Sequence, residues 1–314
     1  MRGGHVVIGY EPNERGTDAL ALGLLLAGRA RARVSVVNVP PSGWPTHTKA
    51  AVDAEWVTYL REEAENALEA ARRIVRDRAP GQTPPPVGVD YRIHHHRGSG
   101  RGLADYAADA GADAIVIGSA PGGPRGHIRM GSTADQLLHG SPVPVLLAPS
   151  GYAALSVPRL DRLTLAYLRQ PGADRALAFA ASLAGRLDLP LRLLTMLIGD
   201  AARGGRGVRL REQMLERLRV EGAADLREAV RNVAALPEPD PISVSTEIVA
   251  GTSAADALAR AEWRTGEVLV CASGQGGPLR RVFLGDMAID ILRASGVPVA
   301  FLPRGAAPPS DGRG

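Results

Sequence analysis

The segment that decides the fold is Ala114-Ile115-Val116-Ile117-Gly118-Ser119, because its pattern returns 154 residues later in Val268-Leu269-Val270-Cys271-Ala272-Ser273. Each segment is an apolar run without alternation that ends in small residues, which is typical of a strand buried on both faces and followed by a loop. Further landmarks recur at the same spacing: Gly122-Gly123-Pro124 with Gly276-Gly277-Pro278, and Ser141-Pro142-Val143-Pro144-Val145 with Ser295-Gly296-Val297-Pro298-Val299. This register indicates an internal repeat, so we expect the chain to fold as two similar halves.

Around these segments, strands and helices alternate in both halves. The first half opens on the strand Val6-Val7-Ile8-Gly9-Tyr10 and the second on Leu163-Thr164-Leu165-Ala166-Tyr167, and a helix is expected after each, over 17–31 and 172–187. Alternation of this kind predicts a parallel sheet covered by helices on both faces. We therefore predict two doubly wound α/β domains, each a five-stranded parallel sheet flanked by helices. The expected boundaries are 1–150 and 158–303 for the domains and 304–314 for a disordered tail.

The composition limits the class of protein. The chain has 314 residues and a net charge of +4, with 16 basic against 15 acidic residues up to residue 150 and 21 against 18 after it. Neither half has the basic run of a nucleic-acid-binding protein, so no nucleic acid is expected as a partner. The longest apolar run, 19–27, is far shorter than the roughly 20 residues that cross a bilayer, and residues 1–5 do not begin a signal peptide. With one cysteine, no internal disulfide can form, so we expect a cytoplasmic protein without a membrane partner.

The loop after the fourth strand of the first half is the segment best suited to ligand chemistry. It runs from Gly118 to Thr133 and ends where a helix is expected to begin. Glycines let backbone amides approach a phosphate closely, and a helix N-terminus favours an anion. Gly131 would allow such an approach, Ser132 would add a hydroxyl donor, and Arg129 would add positive charge. The alternative interpretation is a flexible loop in which Ser132 is an ordinary helix cap.

The spacing Gly-x2-Gly-x9-Gly-Ser/Thr after a strand resembles the nucleotide signature of the universal stress protein family, and the chain is similar to a tandem member over nearly all of 5–303. Gly118, Gly131 and Ser132 fall on the family positions, while Pro121 takes the second glycine position with Gly122 beside it. The resemblance implies a regulatory or stress-response protein that binds ATP, with or without Mg, in its first half and does not turn it over. It also implies an acid after the first strand and an apolar residue after the second. The implied nucleotide-binding residues are Glu11, Val39, Gly118, Gly122, Arg129, Gly131, Ser132 and Thr133.

The second half departs further from the family pattern. Its glycine positions hold Ala272 and Gln275, the acid after the first strand is replaced by Leu168, and Asp286 takes the Ser/Thr position. A carboxylate at Asp286 would face phosphates, and two anions about 4 Å apart repel by roughly 1–4 kcal/mol at surface-like dielectric. We therefore interpret the second half as a degenerate site that keeps the fold and loses the nucleotide.

Other motifs carry less weight. His94 and His96 would point to one face, but no further ligand follows at a metal-site spacing, so no metal site is expected. Cys271 lies in an apolar strand and is expected to be a structural thiol. No nucleophile elbow is present and the second half has no histidine, so no enzyme is expected, although slow ATP hydrolysis or phosphate transfer stays open. The rival hypothesis is an interaction scaffold in which neither half binds nucleotide.

The last strand of each half predicts how the halves meet. Each carries a Val-Pro-Val pattern, and proline suits a sheet edge or a strand start better than a sheet centre. In the family that the chain resembles, last strands pair across a two-fold axis. We therefore expect strands 143–148 and 297–302 to pair as an internal pseudo-dimer, and a homodimer of the whole chain stays open.

Overall fold

A computed structural model describes residues 4–41, 51–77, 86–199, 205–236, 241–272 and 286–303. The chain divides into two compact units between Arg159 and Leu160. The predicted disordered tail 304–314 lies outside the described residues. Among the helices described, none combines the length and the apolar composition of a bilayer span.

The first unit is a five-stranded sheet in the order β3-β2-β1-β4-β5, and its described strand pairs are all parallel, as predicted. The strands are β1 His5–Gly9, β2 Arg33–Asn38, β3 Gly88–Ile93, β4 Ala114–Gly118 and β5 Val145–Ala148. The helices are α1 Glu14–Ala30, α2 Ala51–Arg76, α3 Ser99–Asp109 and α4 Ser132–Gly140, followed by a short 3-10 helix, Tyr152–Leu155.

The second unit repeats this topology in the order β10-β9-β6-β7-β8, again with parallel pairs. Its strands are β6 Arg162–Ala166, β7 Leu191–Ile198, β8 Val244–Gly251, β9 Glu267–Ala272 and β10 Val299–Leu302. Its helices are α5 Ala173–Leu187, α6 Gly205–Ala234, α7 Ala254–Arg260 and α8 Asp286–Ala294. The predicted fold of two similar doubly wound halves is therefore confirmed.

Two element boundaries differ from expectation for clear reasons. Helix α1 begins three residues earlier than predicted because the Asn13 side chain caps it, accepting a hydrogen bond from the Gly16 amide at 3.1 Å. Strands β5 and β10 begin two residues later than predicted, directly after Pro144 and Pro298, which contribute only their carbonyl groups to the sheets. The expected pairing of these two strands stays a prediction.

The buried carboxylate of Asp18 bonds helix α1 to the segment that follows β5. Asp18 lies on α1 and is almost wholly buried. Its two oxygens accept hydrogen bonds from the Gly151 amide at 2.9 Å and the Ala153 amide at 2.8 Å. The start of the 3-10 helix thus supplies the donors that a buried carboxylate requires.

His5 opens the first sheet from a buried position at the amino end of β1. Its Nε2 lies 2.9 Å from the Ser35 hydroxyl and its Nδ1 lies 3.3 Å from the carbonyl oxygen of Ala110. Burial lowers the pKa of His5 below its ordinary value of 6.5, because the charged ring would lose its hydration; Arg33 adds to this effect and Asp113 opposes it.

This burial makes the stability of the first unit sensitive to acid. The unfolded chain binds a proton at His5 near pH 6.5 and the folded chain resists it, so protonation favours unfolding. The stabilising contribution is complete above pH 6.5 and is lost as the pH falls through the folded pKa, at about 1.4 kcal/mol for a pKa difference of one. Urea unfolding between about pH 7.5 and 5.5 measures how the free energy of unfolding changes with pH. In a Trp263→Phe chain, the fluorescence of the remaining tryptophans reports on the first unit. His5→Gln should flatten the profile, and an unchanged profile in that variant would contradict the assignment.

Candidate functional site

The carboxyl ends of β2, β1 and β4 lie side by side at the point where the strand order reverses. Gly9 is in register with Val37, and Ile8 is in register with Val116. If this register continues, Glu11 after β1 lies beside Val39 after β2. Gly118 at the end of β4 then lies beside Tyr10, one residue before Glu11. Since neighbouring strands are about 4.8 Å apart, these three strand ends span roughly 10 Å. Crevices at such switch points are where open α/β sheets bind ligands.

Gly118 lets the first turn of α1 approach the end of β4. A Cβ atom at this position would overlap the carbonyl oxygen of Arg15, which is backbone and cannot turn away. The glycine that the sequence marks as a phosphate contact is thus required by packing between β4 and α1. Its role in ligand binding stays a prediction.

The loop after Gly118 is closed by its own hydrogen bonds. The Ser119 hydroxyl accepts from the Arg129 amide at 2.9 Å, and the Ala120 amide donates to the Arg129 carbonyl at 2.9 Å. The Arg129 guanidinium donates to the carbonyl of Pro121 at 2.7 Å, across Gly122, whose φ of 80° suits glycine. Arg129 therefore holds the two arms of the loop together, a structural role that the sequence does not predict.

Two helix N-termini meet below this loop. Helix α4 begins after Gly131 and α3 begins after Gly98, and neither glycine supplies a side-chain cap. The Thr133 hydroxyl lies 2.6 Å from the Ser99 hydroxyl and is buried, whereas Ser132 is exposed at the start of α4. The start of α3 is enclosed by α4, because its Arg101 amide donates to the Gln136 side chain at 3.2 Å and a Cβ at Gly100 would lie 2.4 Å from the Thr133 carbonyl oxygen. The start of α4 is therefore the helix end that can hold an anion.

The remaining predicted residues lie around the same edge. Glu11 is partly exposed, and its carboxylate contacts the Asn13 side chain at 3.1 Å and Arg15 at 3.5 Å. The side chain of Val39 packs beside Gly102 in α3, where an added Cβ would lie 2.7 Å from it. The edge therefore offers an apolar wall on the β2 side, an acid in the middle and the N-terminus of α4 on the β4 side.

The counterpart in the second unit is different in chemistry. The shared register gives Leu168 for Glu11, Met196 for Val39 and Ala272 for Gly118. Gln275 and the rest of 273–285 lie outside the described residues, as does the side chain of Asp286. The predicted repulsion by Asp286 stays a prediction.

The histidine run connects β3 to α3. His94 lies edge-on to Tyr106 with ring centroids 5.8 Å apart, and His96 Nδ1 lies within hydrogen-bond distance of the Gly98 backbone. Within the described ranges, no three His, Cys, Asp or Glu side chains are grouped to hold a metal. Cys271 is buried, and burial raises the pKa of its thiol to about 12, as suits a structural residue.

Comparison with known proteins gives consistent results. The model of the universal stress protein family matches twice, over residues 4–149 and 160–303. Universal stress proteins of Mycobacterium bovis and Mycobacterium tuberculosis are each 33% identical over 304 residues, which cover 95% of this chain and 99% of theirs. A crystal structure of a universal stress protein from Archaeoglobus fulgidus is 19% identical, with a TM-score of 0.60 over 97% of this chain and all of that one.

Proposed function

Because the chain belongs to the universal stress protein family, we propose that its first unit binds ATP as a regulatory, stress-response protein of the cytoplasm. The observation that carries the proposal is the uncapped N-terminus of α4, at Ser132, beside the carboxyl ends of three neighbouring strands. Because Gly131 supplies no side-chain cap, a phosphate could accept hydrogen bonds from the first-turn amides of α4. In the second unit the described start of α7 is capped by the Ser253 hydroxyl, which accepts from the Asp256 amide at 3.1 Å.

In this proposal each predicted residue has a distinct part. The phosphates lie against Gly131, Ser132 and Thr133 at the start of α4. The base lies against Val39, and Glu11 lies beside the nucleoside. Gly122 supplies the amide that Pro121 lacks. An Mg ion would be held mainly by the phosphates, since one protein carboxylate with phosphate oxygens is a common arrangement for this cation.

Binding without turnover is the expected outcome. Within the loop itself, His127 is the general-base candidate, and it follows Gly126, whose φ is 77°. Ordinary enzymes turn over at about 1 s⁻¹ or faster, so phosphate release well below that rate is expected. Phosphate release at about 1 s⁻¹ or faster that disappears in His127→Ala would instead show that the protein is an enzyme.

The rival function is an interaction scaffold without nucleotide. It is favoured by Arg129, whose guanidinium is already bonded to Pro121 and would have to be released to reach a phosphate. Analysis of small molecules released from the purified full chain separates the two proposals. Bound nucleotide supports the regulator, and an empty protein that also fails to bind added ATP supports the scaffold.

Replacing Ser132 by Asp is expected to weaken ATP binding by about 1–3 kcal/mol, or roughly 5- to 150-fold, through a lost hydroxyl donor and added repulsion. Titration calorimetry on the full chain should give one site, lost or weakened in this variant. His139→Asp is the matched control, because it adds the same charge to the same helix about 10 Å away, near one Debye length. Equal loss in both variants, or two equal sites per chain, would refute the assignment.

A further inference from the structure

The second unit has a cavity at the place that corresponds to the nucleotide site proposed for the first. Its volume is about 150 Å³, and its walls come from the carboxyl ends of β6, β7 and β9 and from the starts of α5 and α8. The described residues that line it are all uncharged in their ordinary state at neutral pH. Most are aliphatic or sulfur-containing, among them Leu165, Leu168, Met196, Cys271, Met287 and Ile291.

A shift in the start of one helix accounts for the space. Position 15 of the first unit corresponds to Gly172 of the second, and α5 begins at Ala173, two residues later than the counterpart of α1. Arg15 packs its backbone against Gly118, but in the second unit the pair is reversed: Ala272 carries a side chain and Gly172, with a φ of 90°, does not. About half a helical turn is therefore missing from the start of α5, at the place where α1 closes the crevice of the first unit.

The rim of the cavity carries large apolar side chains in contact with water. Leu168 is 55% exposed and Met287 is 44% exposed. Leu168 takes the place of Glu11, so the polar residue at the mouth of the first crevice is replaced by an aliphatic one. Exposed apolar groups at the mouth of an apolar cavity are typical of a ligand-binding site.

Among the described residues, the guanidinium that follows the rim in sequence is already paired. Arg169 follows Leu168, but its guanidinium is paired with Glu228 at 2.9 Å and with Asp225 at 3.4 Å on α6. The described lining thus offers no charge to offset a phosphate or a carboxylate, and an unpaired anion in an apolar site is strongly disfavoured. This lining favours an uncharged ligand over a nucleotide.

We propose that this cavity binds a small uncharged apolar molecule, of the size of one aromatic ring or a short alkyl chain. Cavities of about 150 Å³ lined by aliphatic side chains bind benzene in other proteins. A ligand of six to eight heavy atoms reaches a dissociation constant of roughly 0.1–1 mM. The site lies wholly in the second unit, so the proposal does not depend on ATP binding by the first.

Methionine methyl NMR on the full chain tests the proposal with internal controls. Met196 and Met287 line the cavity, whereas Met130 lies in the candidate ATP loop and Met214 lies on α6. Toluene, added to about ten times the expected dissociation constant, should shift the methyl signals of Met196 and Met287 saturably and leave the other two in place. Absence of shifts, or equal shifts at all four, would overturn the proposal.

Charge and space are tested separately. Benzoate has the same ring as toluene with a carboxylate, and we expect it to bind at least tenfold more weakly; equal binding would overturn the assignment to uncharged ligands.

Ala176→Leu should fill the cavity and weaken toluene binding at least tenfold, while Ala178→Leu, on the same helix but outside the lining, should not. Unchanged binding in a folded Ala176→Leu chain would refute the site. ATP that shifts Met196 and Met287 would also refute it, whereas an absence of any ATP effect on Met130 counts only against the proposed function.

Discussion

Replacing Glu267 by Gln is expected to lower the free energy of unfolding of the second unit by about 3–5 kcal/mol. Glu267 is fully buried at the start of β9, and its two carboxylate oxygens accept from Arg162 and Arg192, each at 2.6 Å. Gln would keep one acceptor and direct an amide NH2 group at guanidinium donors. Breaking a buried ion pair costs far more than the pair contributes, because the remaining charges stay in a medium that cannot hydrate them.

The surroundings of Glu267 leave little freedom to adapt. Arg192 also pairs with Glu247, donates from Nε to the Thr164 hydroxyl at 3.0 Å and lies over the Trp263 ring at 4.8 Å. Among the described buried side-chain atoms, Arg162 Nε is without a partner, so the network already carries one unsatisfied donor. A second unsatisfied group would add to that cost.

Urea unfolding read by Trp263 fluorescence, in a Trp44→Phe, Trp56→Phe background, measures this loss in the second unit. Glu221→Gln serves as the control, because it removes an exposed ion pair with Arg217 and should cost under about 0.5 kcal/mol. A joint change of Arg162 to Met and of Arg192 and Glu267 to Leu should recover most of the stability, since buried ion networks are often replaceable by apolar groups. A Glu267→Gln loss no larger than the control would contradict the network's importance.

Replacing Gly118 by Ala is expected to destabilise the first unit by about 1–3 kcal/mol, the usual cost of overpacking, and to weaken ATP binding at the same edge. The new Cβ would overlap the Arg15 carbonyl, so α1 must move away from β4. That movement would disturb the loop that leads to Ser132.

Gly88→Ala is the control for this substitution. Gly88 also lies in a strand, but an added Cβ there meets nothing within 4 Å. Denaturant unfolding of a Trp263→Phe chain and ATP calorimetry should separate the two variants clearly. If both variants behave alike, the close approach of α1 and β4 does not constrain the fold.

The sequence predicts the fold well because the signals for it are local. Apolar runs such as Ala114–Ile117 mark strands buried on both faces, and their repetition marks two halves of one family, which the family match confirms. Helix starts are less certain, since the start of α1 depends on whether Asn13 turns its side chain back to Gly16. Such a contact is a single hydrogen bond and leaves no periodic pattern.

The parts that the sequence did not predict depend on long-range contacts. Arg162, Arg192 and Glu267 lie far apart along the chain, and each alone suggests an exposed strand end; only the parallel register brings them together. The cavity of the second unit depends on long-range contacts as well. In the sequence, Leu168 and Ala272 indicate losses from a nucleotide site, whereas in the structure they and Gly172 line a space that the shortened α5 leaves open.

The hydrogen bonds of Asp18 determine where the chain can be cut. A fragment that stops at residue 150 would contain all of β5. It would lack the Gly151 and Ala153 amides, which donate hydrogen bonds to the buried carboxylate of Asp18. Helix α1 would then hold the buried Asp18 carboxylate without these donors, and aggregation of such a fragment would report this defect as readily as an exposed strand edge. Fragments, fusions and circular permutants of the first unit should therefore retain the chain through Arg159.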